Sequence, residues 1–278
     1  MDTLAGLPFA KMTGSGNDFV FFDGRVVPLD RVTSPEVIQR ICNRNNGIGA
    51  DGIVVLEPQA GSGAVRIHYF NSDGSPADLC GNATLCSTAL AAELGMAPAA
   101  GMRLTTGAGL INSRCGALPE IDFRAVTEIT PDMPIERGPG EQRIGFAMAG
   151  IPHLVVLCDN ADEVDLPHRG PGLRWHPLTG AQGANVNWVS PLPAGGGWRY
   201  RTFERGVEGE TLACGTGAVA TAILVDQWGM ATDKTVTIRT SSGRDLVVTL
   251  GRSTETAGYF PTLRGEGRVV FRGVIGSI

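Results

Sequence analysis

Apolar positions along the chain recur with two periods, and stretches of the two kinds alternate. DFVFFDG (18–24) is a short apolar run closed by Asp-Gly, which predicts a strand ending in a turn. SPEVIQRIC (34–42) changes to helical spacing of Val37, Ile38 and Ile41 behind a capping Ser34. GADGIVVLEP then predicts a turn, a strand and a stop at Pro58. AVRIHYFNSDG (64–74) alternates most clearly, with Val65, Ile67 and Tyr69 on one face and Asp-Gly at the turn. Residues 83–95 return to the helical period, and Arg103–Arg114 and Leu118–Ala125 read as strands. Around Pro131 and Pro134 the pattern loosens, which predicts a linker over 124–142. Strands follow in IGFAMAG, HLVVLC, ANVNWV and WRYRTFERG, then a helix over 217–229 and a hairpin turning at Ser-Gly-Arg in TVTIRTSSGRDLVVTL. Many strands with few helices fit an α+β fold and not a doubly wound Rossmann unit.

The pattern also repeats. A strand, the NSDG turn, a short loop, Cys80 and a helix in the first half are echoed by a strand, ERGVEGE, a short loop, Cys214 and a helix in the second. Nine positions separate Asn71 from Cys80, and ten separate Glu204 from Cys214. The echo predicts two similar domains, each supplying one cysteine to a shared cleft.

Both cysteines precede a glycine and a small polar residue at a helix start: CGN at 80–82 and CGT at 214–216. The first N–H groups of a helix lack intrahelical acceptors, and with the helix dipole they bind anions and favour a thiolate. Gly81 and Gly215 let a ligand approach the backbone, and Asn82 and Thr216 add hydrogen-bonding side chains. Two such starts facing each other would hold one carboxylate with a sulfur on either side of the adjacent carbon. One thiolate removes the α-proton and the other thiol returns a proton to the opposite face, a racemisation or epimerisation that needs no cofactor and no metal. A thiol with a reference pKa of about 8.5 suits that task. The competing reading is that a cysteine is a small core hydrophobe. It is preferred for Cys42, Cys115 and Cys158, and for Cys86, which lies about 240° around the helix from Cys80. No Cys-x-x-Cys pair is present to hold zinc.

Composition narrows the functional classes. The 278 residues are 42% hydrophobic and 18% charged, enough for a packed core in one large domain or two ordinary ones. A net charge of -5, with no basic stripe, argues against a nucleic-acid partner. No apolar run approaches the roughly 18 residues of a membrane span, and MDTLAGLPFAKM does not resemble a secretory signal, so a cytoplasmic protein with free thiols is expected.

Four blocks in order carry a family resemblance: FAKMTGSGNDFVFFDG, RNNGIGADGIVVLEP, YFNSDGSPADLCGNATLC and TFERGVEGETLACGTGAVA. Over roughly residues 9–275 the chain resembles the diaminopimelate epimerases. The resemblance implies two similar mixed α/β domains with a substrate cleft between them. These are placed at 1–127, completed by 264–278, and at 128–263. It also implies a homodimer acting on a small-molecule amino acid without pyridoxal phosphate. The implied reaction interconverts LL- and meso-2,6-diaminopimelate, in lysine and peptidoglycan precursor synthesis. Position by position, Cys80 and Cys214 resemble the catalytic bases. Gly81, Asn82, Gly215 and Thr216 resemble the donors to the reacting carboxylate, and Asn17, Asn71, Asn185, Glu204 and Arg205 the rest of the substrate-binding set. Arg205 is suited to the distal carboxylate.

Alternative roles stand beside these: turn-forming for Asn17 and Asn71, a surface ion pair for Glu204–Arg205, loop organisation for Asp51, and packing or a hinge for His153. Three positions depart from the family pattern. Ile151 stands where Gly-Asn-Pro-His usually has asparagine, the loop Gly206–Glu210 is one residue longer, and GNATLC replaces the frequent GNGxRC. The first removes a polar contact to the far end of the substrate, which a backbone group or Glu208 would have to replace. A related racemase of another amino acid, and a noncatalytic binding protein of the same fold, are the alternative functions.

Overall fold

The computed structural model describes residues 4–61, 63–252 and 258–278. The chain forms two compact units, one of residues 1–121 with 265–278 and one of residues 122–264.

In the first unit the chain lays down β1 (Pro8–Gly14), β2 (Asn17–Asp23), β3 (Gly52–Gln59), β4 (Ala64–Asn71), β5 (Met102–Thr106), β6 (Gly109–Cys115) and β7 (Pro119–Asp122). Helix α1 (Pro35–Cys42) connects β2 to β3, and α2 (Gly81–Glu93) connects β4 to β5. These two connections join parallel neighbours, whereas β1–β2, β3–β4, β5–β6 and β6–β7 are antiparallel. Both faces of β2 are covered, which explains its unbroken apolar run. Val20 and Phe22 pack with Ile38 and Ile41 of α1, while Phe19 and Phe21 pack with Ala83, Cys86 and Leu90 of α2. Each Val, Ile, Leu or Phe among them contributes about 1.5–3 kcal/mol on burial. Every residue from Gly81 to Thr88 is buried, so the first two turns of α2 lie inside the unit, against β1, β3, β4 and β6, and only its C-terminal end, at Ala89, Ala92 and Glu93, reaches toward solvent.

The second unit repeats this plan. Its strands are β8 (Ile129–Thr130), β9 (Glu141–Ala149), β10 (Ile151–Cys158), β11 (Asn185–Pro191), β12 (Trp198–Glu204), β13 (Gly209–Thr211), β14 (Thr235–Arg239), β15 (Asp245–Arg252) and β16 (Tyr259–Arg264). From β9 to β16, leaving out β13, the pairings run antiparallel, parallel, antiparallel, parallel, antiparallel, antiparallel, the same succession as β1 to β7. The buried helix is α4 (Gly215–Gln227). The chain then returns to the first unit as β17 (Arg268–Val274), antiparallel to β1. The register repeats as well: β2 meets β3 from Phe19↔Gly52, and β10 meets β11 from His153↔Asn185. Asn17 and Ile151, each two residues earlier, therefore hold matching positions. The result is an α+β protein of two similar mixed α/β units.

Several local expectations change. Strand β3 does not stop at Pro58 but continues to Gln59; β2 pairs with it only as far as Leu56, so Pro58 sits where one side carries no ladder. Arg103–Arg114 is two strands. At their turn a Cβ on Gly107 would stand 2.5 Å from the Asp78 carboxylate, and Ala108 N donates to Asp78 O at 3.1 Å. The stretch 124–142 is not a loose linker: Val126 exchanges backbone bonds with Tyr259, Met133 N donates to Ile144 O at 2.7 Å, and Ile135 is buried. Helix α3 (Leu166–Arg174) has no counterpart in the sequence pattern, since it contains Pro167, Gly170, Pro171 and Gly172. Asp165 caps it, and Gly170 lies so close to Phe203 that a Cβ would stand 2.4 Å from the ring. Packing overrides poor propensity here.

Candidate functional site

Each unit presents its cysteine as the residue that opens the buried helix. Cys80 (φ -133°, ψ 118°) precedes α2 and Cys214 (φ -130°, ψ 113°) precedes α4. An extended residue followed by helical Gly81 or Gly215 leaves the first helical N–H groups without intrahelical acceptors, and at Cys214 the sulfur itself accepts from one of them, Gly217 N. Cys80 is partly exposed and Cys214 is buried. Three of the remaining thiols are of another kind: burial pushes Cys42 and Cys158 up to about 12 and Cys86 well above the usual thiol range, whereas Cys115, expected in the core, is partly exposed. Cys86 lies within the α2 core, and a Cβ on Gly14 would stand 3.0 Å from its sulfur.

In the first unit, Asn82 Nδ2 donates to Asn17 Oδ1 at 2.6 Å, and Asn17 Nδ2 donates to Asp51 Oδ2 at 3.1 Å. Asp51 also accepts from Asp18 N and from Arg44. Arg44 and the buried Lys11 both pair with Asp18; burial works against this carboxylate, but the two cations hold it below the usual range. Asp51 therefore fixes which end of the Asn17 amide faces the helix start. Asn71 spends its side chain nearby in its own turn, accepting from Tyr69 Oη and donating to Ser75 Oγ, each at 3.1 Å.

In the second unit a chain of polar groups runs under Cys214. Asn187 Oδ1 accepts from Tyr200 Oη at 2.7 Å and Thr202 Oγ1 at 3.0 Å, so its Nδ2 faces Leu154 O at 2.8 Å and His153 Nδ1 at 3.2 Å. His153 is fully buried; burial first, and the Arg205 charge second, push its pKa down to about 3, so the ring is neutral at neutral pH. With Nδ1 accepting, the proton sits on Nε2, which donates to Thr216 Oγ1 at 3.0 Å. The Thr216 hydroxyl lies 3.4 Å from Cys214 Sγ. It donates to the sulfur as thiolate and accepts from it as thiol. Gly217 N at 3.4 Å and Asn185 Nδ2 at 3.8 Å also donate to this sulfur. Gly217 has to be glycine, because a Cβ would stand 2.2 Å from Tyr200 Oη.

Beside this chain, Asn185 Oδ1 accepts from Arg205 N at 2.8 Å, Arg205 Nη1 donates to Gln182 Oε1 at 3.1 Å, and Glu204 accepts from Thr211. Glu208 Oε1 accepts from Arg174 Nε and Nη2 and from Gly206 N. In the first unit Asn17 and Asn82 are thus linked at the helix start that Cys80 opens, and Asn71 is held in its own turn; in the second, Thr216 and Asn185 meet the Cys214 sulfur, Arg205 is tied to Asn185, and Glu204 to Thr211. Sequence reading passed over Asn187, Tyr200 and Thr202. The signal was there: Asn185 and Asn187 lie two apart in an apolar strand, and Thr202 stands directly opposite Asn187 in the β11–β12 register. Among the described residues no group of three or more His, Cys, Asp or Glu side chains is arranged to hold a metal ion, and no helix is long and apolar enough to cross a membrane.

Comparison with known proteins places this arrangement. The family model described as diaminopimelate epimerase matches residues 9–117 and 145–259. A diaminopimelate epimerase of Gemmatimonas aurantiaca is 64% identical over 280 residues, covering 98% of this chain and 100% of that protein. One from Aquifex aeolicus is 35% identical, covering 87% and 89%. Among solved structures, a PhzF-family phenazine biosynthesis protein of Bacillus anthracis superposes with a TM-score of 0.75 at 15% identity, covering 96% of this chain and 98% of that one. A hydroxyproline epimerase of Agrobacterium vitis gives 0.68 at 18% identity, covering 98% and 93%. At these identities the structures share the fold.

Proposed function

We propose, starting from the premise that this chain belongs to the diaminopimelate epimerase family, that it interconverts LL- and meso-2,6-diaminopimelate. Membership makes it an enzyme of the pyridoxal-phosphate-independent amino-acid epimerase and isomerase superfamily. The observation that carries the proposal is the duplicated helix start. Two cysteines sit at the N-caps of two equivalent buried helices with nearly identical backbone angles. The reaction needs a base and an acid at one carbon. Cys80 and Cys214 are the proposed pair: in one direction Cys80 takes the α-proton as thiolate while Cys214 returns one as thiol, and in the other direction they exchange roles. Proton count and charge balance in each turnover. The carbanion formed in between places charge on the carboxylate oxygens, where helix N–H groups stabilise it. In this reading Gly81, Asn82, Gly215 and Thr216 receive the reacting carboxylate. Asn17, Asn71, Asn185, Glu204 and Arg205 read the rest of the substrate.

A racemase of another amino acid is the second reading. Ile151 favours it, because an apolar side chain there withholds a polar contact from the far end of the substrate. Proton–deuterium exchange in deuterated buffer, followed by chiral separation, tests both readings. Diaminopimelate should exchange and epimerise faster than lysine, glutamate or histidine; a different preferred amino acid overturns the first reading and keeps the second.

We also propose a homodimer. Support comes from β17, where Val270, Phe271 and Val274 are each about half exposed or more on a strand paired to β1. A cytoplasmic location belongs to the same proposal, since it follows from the substrate's place in precursor synthesis.

A further inference from the structure

We propose that the ion pair of Arg174 and Glu208 is a clamp that presets Asn185 and Arg205 for the far end of the substrate, which makes both members of the pair positioning residues for substrate discrimination. The inference deepens the diaminopimelate reading and rests on it for the identity of that substrate.

Arg174 is the last residue of α3 and is buried, its side chain 3% exposed, whereas that of Glu208 is 44% exposed. A guanidinium taken this far out of water is stable only when paired. Its Nε and Nη2 donate to Glu208 Oε1 at 3.2 and 3.1 Å, and Nη1 donates to Gln182 O at 2.7 Å. The outer face of the guanidinium stacks on Trp175, 4.0 Å from the ring centre.

The pair grips two chain segments at once. On the β11 side, Arg174 O accepts from Ala184 N at 3.0 Å. Gly183 (φ +64°) is pressed so closely that a Cβ would stand 2.1 Å from Arg174 O and 2.2 Å from Nη1. This segment leads directly into Asn185. On the β12 side, Glu208 accepts from Gly206 N at 3.0 Å, and its own N donates to Glu204 O at 2.8 Å. Glu208 has φ +54°, a left-handed conformation that a non-glycine residue keeps only when its surroundings hold it. This loop follows directly from Arg205. The two segments are tied to each other by Arg205 N to Asn185 Oδ1 and by Arg205 Nη1 to Gln182 Oε1. The guanidinium of Arg205 is therefore aimed by Gln182, whose backbone Arg174 holds, and its backbone is fixed by a loop that Glu208 holds. The loop's one-residue excess over the common family form lies in the segment that supplies the clamp's carboxylate.

Arg174, Glu208 and Gln182 stand outside the polar chain under Cys214, and the clamp reaches the sulfur only through the long 3.8 Å contact of Asn185 Nδ2, so loosening it should change recognition far more than proton transfer. The test is Glu208→Gln in the full chain, which keeps an acceptor for Gly206 N and removes the charge opposite Arg174. Two measurements are made. Hydrogen–deuterium exchange of the ligand-free protein should be about tenfold faster across 182–184 and 205–209, with α4 unchanged. KM for diaminopimelate should rise about tenfold with kcat within twofold, while kcat/KM for lysine stays within twofold. Unchanged exchange overturns the clamp. Faster exchange with kcat reduced for both substrates, or with KM unaltered, overturns the role in discrimination. If the unmodified enzyme prefers another amino acid, the diaminopimelate reading fails by that result, and the exchange measurement still decides the clamp.

Discussion

His153 Nε2 donates to Thr216 Oγ1 across 3.0 Å, and this bond leaves the threonine hydroxyl hydrogen for Cys214. The direction is set further along the chain of polar groups, by Tyr200 and Thr202 fixing the Asn187 amide. Glutamine can reproduce the pattern, accepting from Asn187 and donating to Thr216; leucine cannot. His153→Gln should therefore keep kcat within a few fold, and His153→Leu should lower it about tenfold, as expected for one neutral hydrogen bond of about 1 kcal/mol and the disorder its removal allows. Steady-state kinetics of the two folded variants check this. Equal activities would show that the direction of the bond is immaterial.

Burial of the same imidazole makes stability depend on pH. The folded pKa of about 3 lies below the reference 6.5, so between these values the unfolded chain binds a proton that the folded chain does not. Stability falls as pH drops through that window, with a limiting slope of about 1.4 kcal/mol per pH unit. Asp18 and Glu141, both held below the usual carboxylate range against the opposing effect of burial, add to the decline at lower pH. Urea denaturation from pH 7 to pH 4.5 should show a shallower decline in His153→Gln than in the unmodified protein. Parallel curves would place the imidazole's titration elsewhere.

The two helix-opening cysteines should be individually indispensable. Cys80→Ala and Cys214→Ala are expected to lower epimerisation by about 10²–10⁴-fold, the range for removal of a general acid or base, with the circular dichroism spectrum preserved. Cys86→Ala should cost core packing and thermal stability instead, because its sulfur is inside the α2 core. Near-normal turnover of either of the first two variants would exclude a two-thiol mechanism.

Arg205 should govern preference and not turnover. Arg205→Gln removes a charge-assisted fork to a distal carboxylate and is expected to raise KM for diaminopimelate by about 30–100-fold, equivalent to about 2–3 kcal/mol. The rate with lysine should change little. A uniform reduction on both substrates would remove the distal-carboxylate role.

The exposed apolar residues of β17 allow the proposed homodimer to be tested by one substitution. Phe271 is 47% exposed and stacks edge-on against Phe9 at 5.8 Å. Phe271→Asp should shift sedimentation from dimer to monomer at micromolar concentration. A monomeric unmodified protein would overturn the proposed homodimer, and a dimer that withstands the change would place its interface on another surface.

Much of the scaffold was legible in the chain because its determinants are local. Ser34 before Val37-Ile38 specifies the start of α1 through one hydrogen bond, and the alternation of residues 64–71 specifies β4 through one buried face. The repeated Cys-Gly at helix starts was equally readable, since a helix boundary is written in a few consecutive residues. Other features are decided by residues far apart in sequence. Helix α3 forms through two prolines because Phe203 leaves room for Gly170 alone. The stretch 124–142 orders because Tyr259 and Ile144 supply its backbone partners. The proton on His153 Nε2 depends on Asn187, 34 positions away, and the placement of Arg205 depends on Arg174 and Glu208, which meet only when β11, β12 and α3 pack together. Local propensity can mark where a strand or helix begins. Which nitrogen carries a proton, and which way a guanidinium points, is set by hydrogen-bond partners that only the tertiary fold brings within about 3 Å.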